Sequence, residues 1–217
     1  MSLRINDPAP DFTADSTEGE IRFHDWLNGS YAILFSHPKD FTPVCTTEFG
    51  AVAQLAGEFE KRNTKVLGVS VDSVDDHIKW KSDIAKFAGT PANFAIIDDA
   101  ALTVAKAYDM LPADAWLPDG RTPADSATVR TVFIIGPDRK IRLMMVYPMS
   151  VGRNFAEILR ALDAVQKTDA APLATPANWV PGQDVIVALS LDDKAATEKF
   201  GPLDIKLPYL RFAKDPA

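Results

Sequence analysis

The sequence holds a single cysteine, Cys45, among 217 residues. An internal disulfide is therefore excluded, and with it any Cys-x-x-Cys dithiol chemistry. An unpaired thiol suits a reducing compartment, so a cytoplasmic location is expected. Histidine is nearly as scarce: His24, His37 and His77 lie scattered and show no ligand spacing with Cys45, so no metal is expected. No glycine-rich phosphate loop occurs, which argues against a nucleotide, and no organic cofactor is implied. No apolar run reaches the ~18–20 residues of a membrane span. Residues 1–12 carry one Arg and no apolar stretch, so a secretory leader is not expected. Cationic side chains are outnumbered, 23 − 30 = −7, which argues against nucleic acid or an anionic membrane as a main partner.

What is present reads as an ordinary globular chain, 47% hydrophobic and 24% charged, so a core can form without staples. Two short apolar pieces flank Ser16-Thr17-Glu18-Gly19, a plausible hairpin. Tyr31 to Ser36 is a continuous apolar run of strand length, as in sheets buried on both faces. From Pro43, the spacing of Cys45, Phe49, Val52, Ala56 and Phe59 predicts one helix closed by Lys61-Arg62-Asn63, with Thr42 as its N-cap. Lys65 to Val71 reads as a second strand, Ser73 to Phe87 as a helix, Phe94 to Ile97 as a third strand, and Ala100 to Tyr108 as a short helix. Thr128 to Ile135 and Lys140 to Tyr147 form an antiparallel hairpin across Gly136-Pro137-Asp138-Arg139. Asn154 to Glu157 has the form of a capping box, and its helix runs to about Lys167.

Strand–helix–strand units followed by a hairpin predict an α/β fold, a thioredoxin-like mixed sheet flanked by helices. Prolines between Ala170 and Gly182 mark a linker, after which Asp184 to Leu189 reads as a strand and Asp192 to Phe200 as a helix. The expected organisation is a domain over residues 1–168 and a small α+β extension over 169–217. Roughly thirty-five residues after the linker are few for an independent core. The extension is therefore expected to pack on its own domain or on a second subunit.

Cys45 falls in the first turn of its helix, directly after a buried strand. Free N–H groups and the positive end of the helix dipole favour thiolate there, and thiolate is the nucleophile. The same residue lies on the core-facing stripe, where a cysteine is commonly a small buried hydrophobe. Placement alone leaves both readings open. Arg130, at the start of a strand apolar on both faces, either reaches solvent or needs a buried partner.

The string Phe35-Ser36-His37-Pro38-Lys39-Asp40-Phe41-Thr42-Pro43-Val44-Cys45-Thr46-Thr47-Glu48 resembles the active-site region of the one-Cys peroxiredoxins. Further similarity lies in Ile21 to Asp25, in Val71 to His77, and in Tyr147-Pro148 followed by Gly152 to Phe155. The resemblance runs over nearly the whole chain. It implies a thiol peroxidase that reduces hydrogen peroxide and alkyl hydroperoxides. Cys45 is then the nucleophile that becomes sulfenic acid, with Thr42 offering its hydroxyl to thiolate and peroxide. Pro43 shields the sulfur, and Arg130 stabilises thiolate and leaving oxygen. The resemblance also implies that Glu48 pairs with arginines, Arg153 among them, where an isolated surface ion pair is the ordinary alternative. His37 is either a proton carrier near the pocket or a histidine satisfied at a strand end. With no second cysteine, the sulfenic acid must be recycled by an external thiol or other reductant. The resemblance further implies a homodimer, with the extension helping to build it, and leaves open a higher ring assembly of dimers.

Two other activities use parts of the same sequence. A redox sensor or holdase would employ Cys45 oxidation to alter an interface. A phospholipase, described for some relatives, would use Ser30, His24 and Asp138. The Gly-x-Ser-x-Gly elbow is absent, since the sequence around Ser30 is Asn28-Gly29-Ser30-Tyr31-Ala32.

Overall fold

The computed structural model describes residues 2–117 and 125–216. The expected N-terminal hairpin forms from β1 (Thr13–Ala14) and β2 (Ile21–Arg22). It is followed by a one-turn helix α1 (Phe23–Leu27) that the sequence reading did not anticipate. The main sheet comprises β3 (Tyr31–Ser36), β4 (Thr64–Ser70), β5 (Ala95–Asp98), β6 (Arg130–Ile135) and β7 (Ile141–Tyr147), in the order β5-β4-β3-β6-β7. Strands β3, β4 and β5 run parallel, and β6 and β7 join antiparallel, as the order of elements requires.

The sheet is apolar on both sides, and the period of two divides its residues. Ala32 and Leu34 of β3 and Leu67 and Val69 of β4 pack with Phe12, Phe23, Tyr108 and Phe133. The alternate positions face α2 (Pro43–Gln54) and α4 (Val74–Ala88). There the Phe35 and Phe49 ring centroids lie 4.9 Å apart, and Phe49 sits 4.7 Å from Trp80 and 5.5 Å from Phe94. Helix α4 opens on Ser73, whose hydroxyl accepts the Asp76 N–H at 3.2 Å, and ends on left-handed Gly89.

The single helix expected from Pro43 to Asn63 is instead two. At Leu55 the backbone takes φ −96° and ψ 2°, and its N–H is shared between the carbonyls of Ala51 and Val52. That tightened turn separates α2 from α3 (Ala56–Lys61), while Phe59 stays buried. The expected Ala100–Tyr108 helix is shorter, α5 (Thr103–Ala107).

The chain divides into two compact units, one ending at Phe155 and one beginning at Ala156. The boundary falls at the start of α6 (Phe155–Ala170), whereas the sequence reading puts it at that helix's far end. The second unit contains β8 (Leu173–Ala174), β9 (Val185–Val187), α7 (Asp193–Phe200), β10 (Asp204–Leu207) and β11 (Leu210–Ala213), with its sheet ordered β10-β11-β9-β8. Two details add to the expected linker and extension. The proline-rich stretch is not simply a linker, because β8 lies within it and pairs with β9. The tail also has a small core of its own, with Trp179, Val185, Val187, Ala196 and Ala213 around Leu173. Arg211 supports it by bonding Asp193 and the carbonyls of Ala188 and Leu191.

Gly68 shows how closely α2 lies on the sheet. A Cβ built there meets the Phe49 ring at 3.0 and 3.1 Å. That ring is held by Phe35, His37, Trp80 and Phe94 and has no room to yield. Gly68→Ala is expected to destabilise the protein by about 1–3 kcal/mol through overpacking, read as a lower denaturation midpoint in urea. An unchanged midpoint would show that the ring can move.

Candidate active site

The site forms where three chain segments meet at one end of the sheet. Strand β3 ends at Ser36, and residues 37–42 carry the chain to α2, which begins at Pro43 and places Cys45 in its first turn. Pro43 at the helix start forfeits no hydrogen bond, because the first N–H groups of a helix lack internal partners. Antiparallel pairing sets Val132 opposite Phe35, so the start of β6, Arg130, lies beside the end of β3. Ser36 ties the two strands there: its hydroxyl donates to the Val129 carbonyl at 2.6 Å and accepts the Thr131 N–H at 3.1 Å. Residue 147 pairs with Arg130, and the loop after β7 returns Arg153 to the same place.

Cys45 is fully buried. Its sulfur accepts a hydrogen bond from Arg130 Nη1 at 3.3 Å. The same nitrogen donates to Glu48 Oε2 at 2.7 Å, and Arg130 Nε donates to the Met149 carbonyl at 2.8 Å. Glu48 lies one helical turn beyond Cys45, with its side chain 2% exposed. It receives Arg153 through the backbone N–H at 2.7 Å, Nε at 2.9 Å and Nη2 at 2.7 Å. Arg153 Nη1 donates in turn to the carbonyls of Ser36 at 2.8 Å and Thr131 at 3.1 Å. The Arg153 guanidinium also lies 5.0 Å from the Phe35 ring centroid. Burial works to raise the Glu48 carboxyl, but the hydrogen bonds and charge of Arg153, with the charge of Arg130, outweigh it. The group is held below the usual carboxylate range.

The formal charges of this buried group are one carboxylate and two guanidinium ions, an excess of one positive charge. The atom positioned to balance it is the Cys45 sulfur. The arrangement can therefore stabilise an anion at sulfur, and then at any oxygen bound beside it.

Thr42 stands at the N-cap in backbone terms, with φ −113° and ψ 149°. Its hydroxyl does not cap the helix as expected. It donates instead to the Lys39 carbonyl at 2.9 Å, leaving the oxygen lone pairs for another donor. The Thr42 carbonyl accepts both the N–H and the hydroxyl of Thr46, at 3.0 and 2.8 Å. An open depression at the helix start is lined by Phe41, Thr42, Pro43, Trp80 and Phe87.

His37 is fully buried and not bonded to Cys45. Its Nε2 lies 2.7 Å from Asp40 Oδ1, while Nδ1 has no hydrogen-bond partner among the described residues. Asp40 Oδ2 meets His77 Nδ1 at 2.6 Å. Two of the three histidines that look scattered in the sequence thus converge, because parallel β3 and β4 set the segments that follow them side by side. Their ligand-type atoms lie within 4.8 Å of one another. Asp40 and His77 were not singled out from sequence, since nothing local relates positions 37 residues apart.

Ser30, His24 and Asp138 have separate partners. Ser30 is buried and donates to the Leu27 carbonyl. His24 Nε2 meets the Ala9 carbonyl at 2.9 Å, and Asp138 pairs with Arg142 at 3.0 Å.

Residues 5–144 match the AhpC/TSA family, and residues 164–201 match the C-terminal domain of 1-Cys peroxiredoxin. A mitochondrial peroxiredoxin of Saccharomyces cerevisiae is 49% identical over 98% of this chain and 81% of its own length. Peroxiredoxin-6 of Mus musculus is 46% identical over 99% of this chain and 98% of its own. Among solved structures, a cysteine-to-serine mutant of the peroxiredoxin 6 of Arenicola marina superposes with a TM-score of 0.91 at 40% identity, covering 99% of both chains. The yeast mitochondrial 1-Cys peroxiredoxin, solved for its thiol resolving mechanism via glutathione and thioredoxin systems, superposes at 0.87 with 47% identity over 98% of this chain and 99% of that one. With these likenesses spanning both units and the lone cysteine seated beside two arginines, the chain belongs to the peroxiredoxins, as a peroxidase of the one-Cys branch.

Proposed function

We propose that Cys45 is the nucleophile of peroxide reduction, acting on hydrogen peroxide and alkyl hydroperoxides. The observation that carries this reading is the excess positive charge of Arg130, Arg153 and Glu48, with Arg130 Nη1 at 3.3 Å from the sulfur. Thiolate attacks the terminal peroxide oxygen, the O–O bond breaks, and the departing alkoxide or hydroxide takes up a proton. Sulfur is oxidised to sulfenic acid as the peroxide is reduced to alcohol or water. Arg130 serves sulfur first and then the leaving oxygen; Thr42 presents its hydroxyl oxygen and Pro43 limits water. Glu48 and Arg153 hold Arg130 in place, and His37 supports the loop. Two equivalents of an external thiol return Cys45 to the thiol, yielding a disulfide and water.

Residues 1–168 are assigned as the peroxidase domain and 169–217 as an extension that builds a homodimer. Apolar side chains left exposed on and beside β10, Ile205, Leu207 and Tyr209, support the second assignment. No helix among the described residues is long and apolar enough to cross a membrane. With the unpaired thiol, a cytoplasmic site of action is the reading adopted.

A single turnover of reduced protein with near-stoichiometric hydrogen peroxide tests the central claim. Peroxide loss followed by stopped flow is expected to outrun a free thiol by orders of magnitude, with one oxygen added at Cys45 by mass spectrometry. Cys45→Ser should reduce that rate to background while circular dichroism stays unchanged; turnover retained in this variant contradicts the assignment. Arg130→Ala should slow the peroxide step by about 10²–10³-fold, the range for removing one donor to a developing anion, and move the pH–rate profile to higher pH. An unaltered profile would remove Arg130 from the chemistry.

Acid stability follows from Glu48. Its carboxyl is lowered in the folded state, so its contribution is present above the ordinary glutamate range, about pH 4.3, and is lost as pH falls through the folded value. Glu48→Gln should therefore flatten the loss of melting temperature below that range, and an identical slope would discount the ion cluster.

A further inference from the structure

The loop between β3 and α2 carries a second buried polar array that the peroxide step does not use directly. Asp40 is 2% exposed, and His37 and His77 are fully buried. The contacts of 2.7 Å from Asp40 to His37 and 2.6 Å to His77 are hydrogen-bond lengths. Two ligands of a tetrahedral ion at ~2.0–2.1 Å would stand about 3.3 Å apart, so this is a hydrogen-bonded array and not a collapsed metal cage.

Its geometry follows from the partners. His77 Nε2 faces the Ile97 carbonyl at 3.1 Å, an obligate acceptor, so that nitrogen carries a proton. His77 Nδ1 faces Asp40 Oδ2. Burial works to raise the Asp40 carboxyl, yet the hydrogen bonds and charges of His37 and His77 outweigh it, and the group is held below the usual carboxylate range. Asp40 is gripped by a ring nitrogen at each carboxylate oxygen, and His77 reaches from it to the Ile97 carbonyl. His37 Nδ1 has no hydrogen-bond partner among the described residues. Burial lowers its basicity. Asp72 also faces the array: it accepts the Asp40 N–H at 2.9 Å and the Ser70 hydroxyl at 2.8 Å. Asp76, on the first turn of α4, is a further acidic group near Asp40.

Asp40 is thus tied at both side-chain oxygens and at its N–H, and the next residue is Phe41, with φ 55°. A bulky non-glycine residue in the left-handed region is strained by about 1–3 kcal/mol and persists only where its surroundings over-determine it. That turn at Phe41 sets the extended Thr42 and the start of α2, and hence the direction of Cys45 toward Arg130. We infer that Asp40 is a positioning residue for the peroxidatic loop, anchored at its two carboxylate oxygens by His37 and His77. The inference rests on Cys45 being the nucleophile, but its first test does not involve Cys45.

The ring N–H protons of 15N-labelled, reduced, full-length protein are read by long-range proton–nitrogen correlation. On both histidines a ring N–H that exchanges slowly with water is expected, as the buried contacts to Asp40 and Ile97 require. A ring of either histidine that exchanges as fast as free imidazole overturns the inference, whatever the activity. The second test compares Asp40→Asn with the parent. A fall of about tenfold to a hundredfold in the peroxide rate is expected, with melting still cooperative. A folded Asp40→Asn with undiminished rate and pH profile overturns the positioning role. If that variant does not fold, His77→Gln, which keeps a donor, is measured with the same two outcomes. Failure of Cys45→Ser to lose activity would instead strike the peroxidase assignment and leave the histidine result standing.

Discussion

One carboxylate, that of Glu48, binds two guanidinium groups at a depth where water cannot share the task. Each guanidinium reaches it from a different segment, Arg130 from the start of β6 and Arg153 from the loop after β7. Burying an ion cluster of this kind gains little net stability over well-packed hydrophobic side chains, because desolvation offsets most of the attraction. Its value lies elsewhere. Three fixed charges of unequal sign leave a standing positive potential at one point, and the fold sets the only cysteine at that point. A donor held in place before reaction has no reorganisation to undergo as charge moves from sulfur to oxygen.

The sheet topology is what makes this meeting cheap. Parallel β3 and β4 aim the chain segments that follow them at the same end of the sheet, and antiparallel β6 returns its first residue to that end. Ser36 and Thr131 then give their carbonyls to Arg153, so backbone groups near the strand ends become part of the site. The aromatic layer of Phe35, Phe49, Trp80 and Phe94 beneath α2 fixes the helix against the sheet. Cys45 inherits its position from that packing and not from local preference.

Those parts governed by local pattern were readable from the amino acids. The strands of the main sheet, the helix with its Ser73 cap, and the hairpin through Gly136 all follow from periodicity, capping and turn chemistry. The break at Leu55 was not readable, since the apolar spacing from Cys45 to Phe59 runs straight through it. Nor were β8, β10 and β11, which are two to four residues long and take their register from neighbours. At the site, the place of Cys45 at a helix start was legible, but its role as nucleophile was reached through the resemblance. The Glu48–Arg153 bond spans 105 residues and was reached only through resemblance. The Asp40–His77 bond had no signal at all, because it depends on two loops being neighbours in space. The Thr42 hydroxyl was assigned to the helix by propensity and went instead to Lys39, a competition among nearby acceptors that sequence does not decide.

The two buried arrays beside the loop differ in a way that separates their roles. Around Asp40 both carboxylate oxygens and the N–H are taken up by His37, His77 and Asp72, and His77 is bonded on to Ile97. A carboxylate so engaged holds backbone in place. Around Glu48 the cations exceed the anions, and the shortfall sits at a sulfur atom. An engaged carboxylate makes a rivet, and uncompensated charge makes a binding site for a negative species. Phe41 and Thr42 lie between the two, so the strain at Phe41 is held by the first array for the geometry of the second.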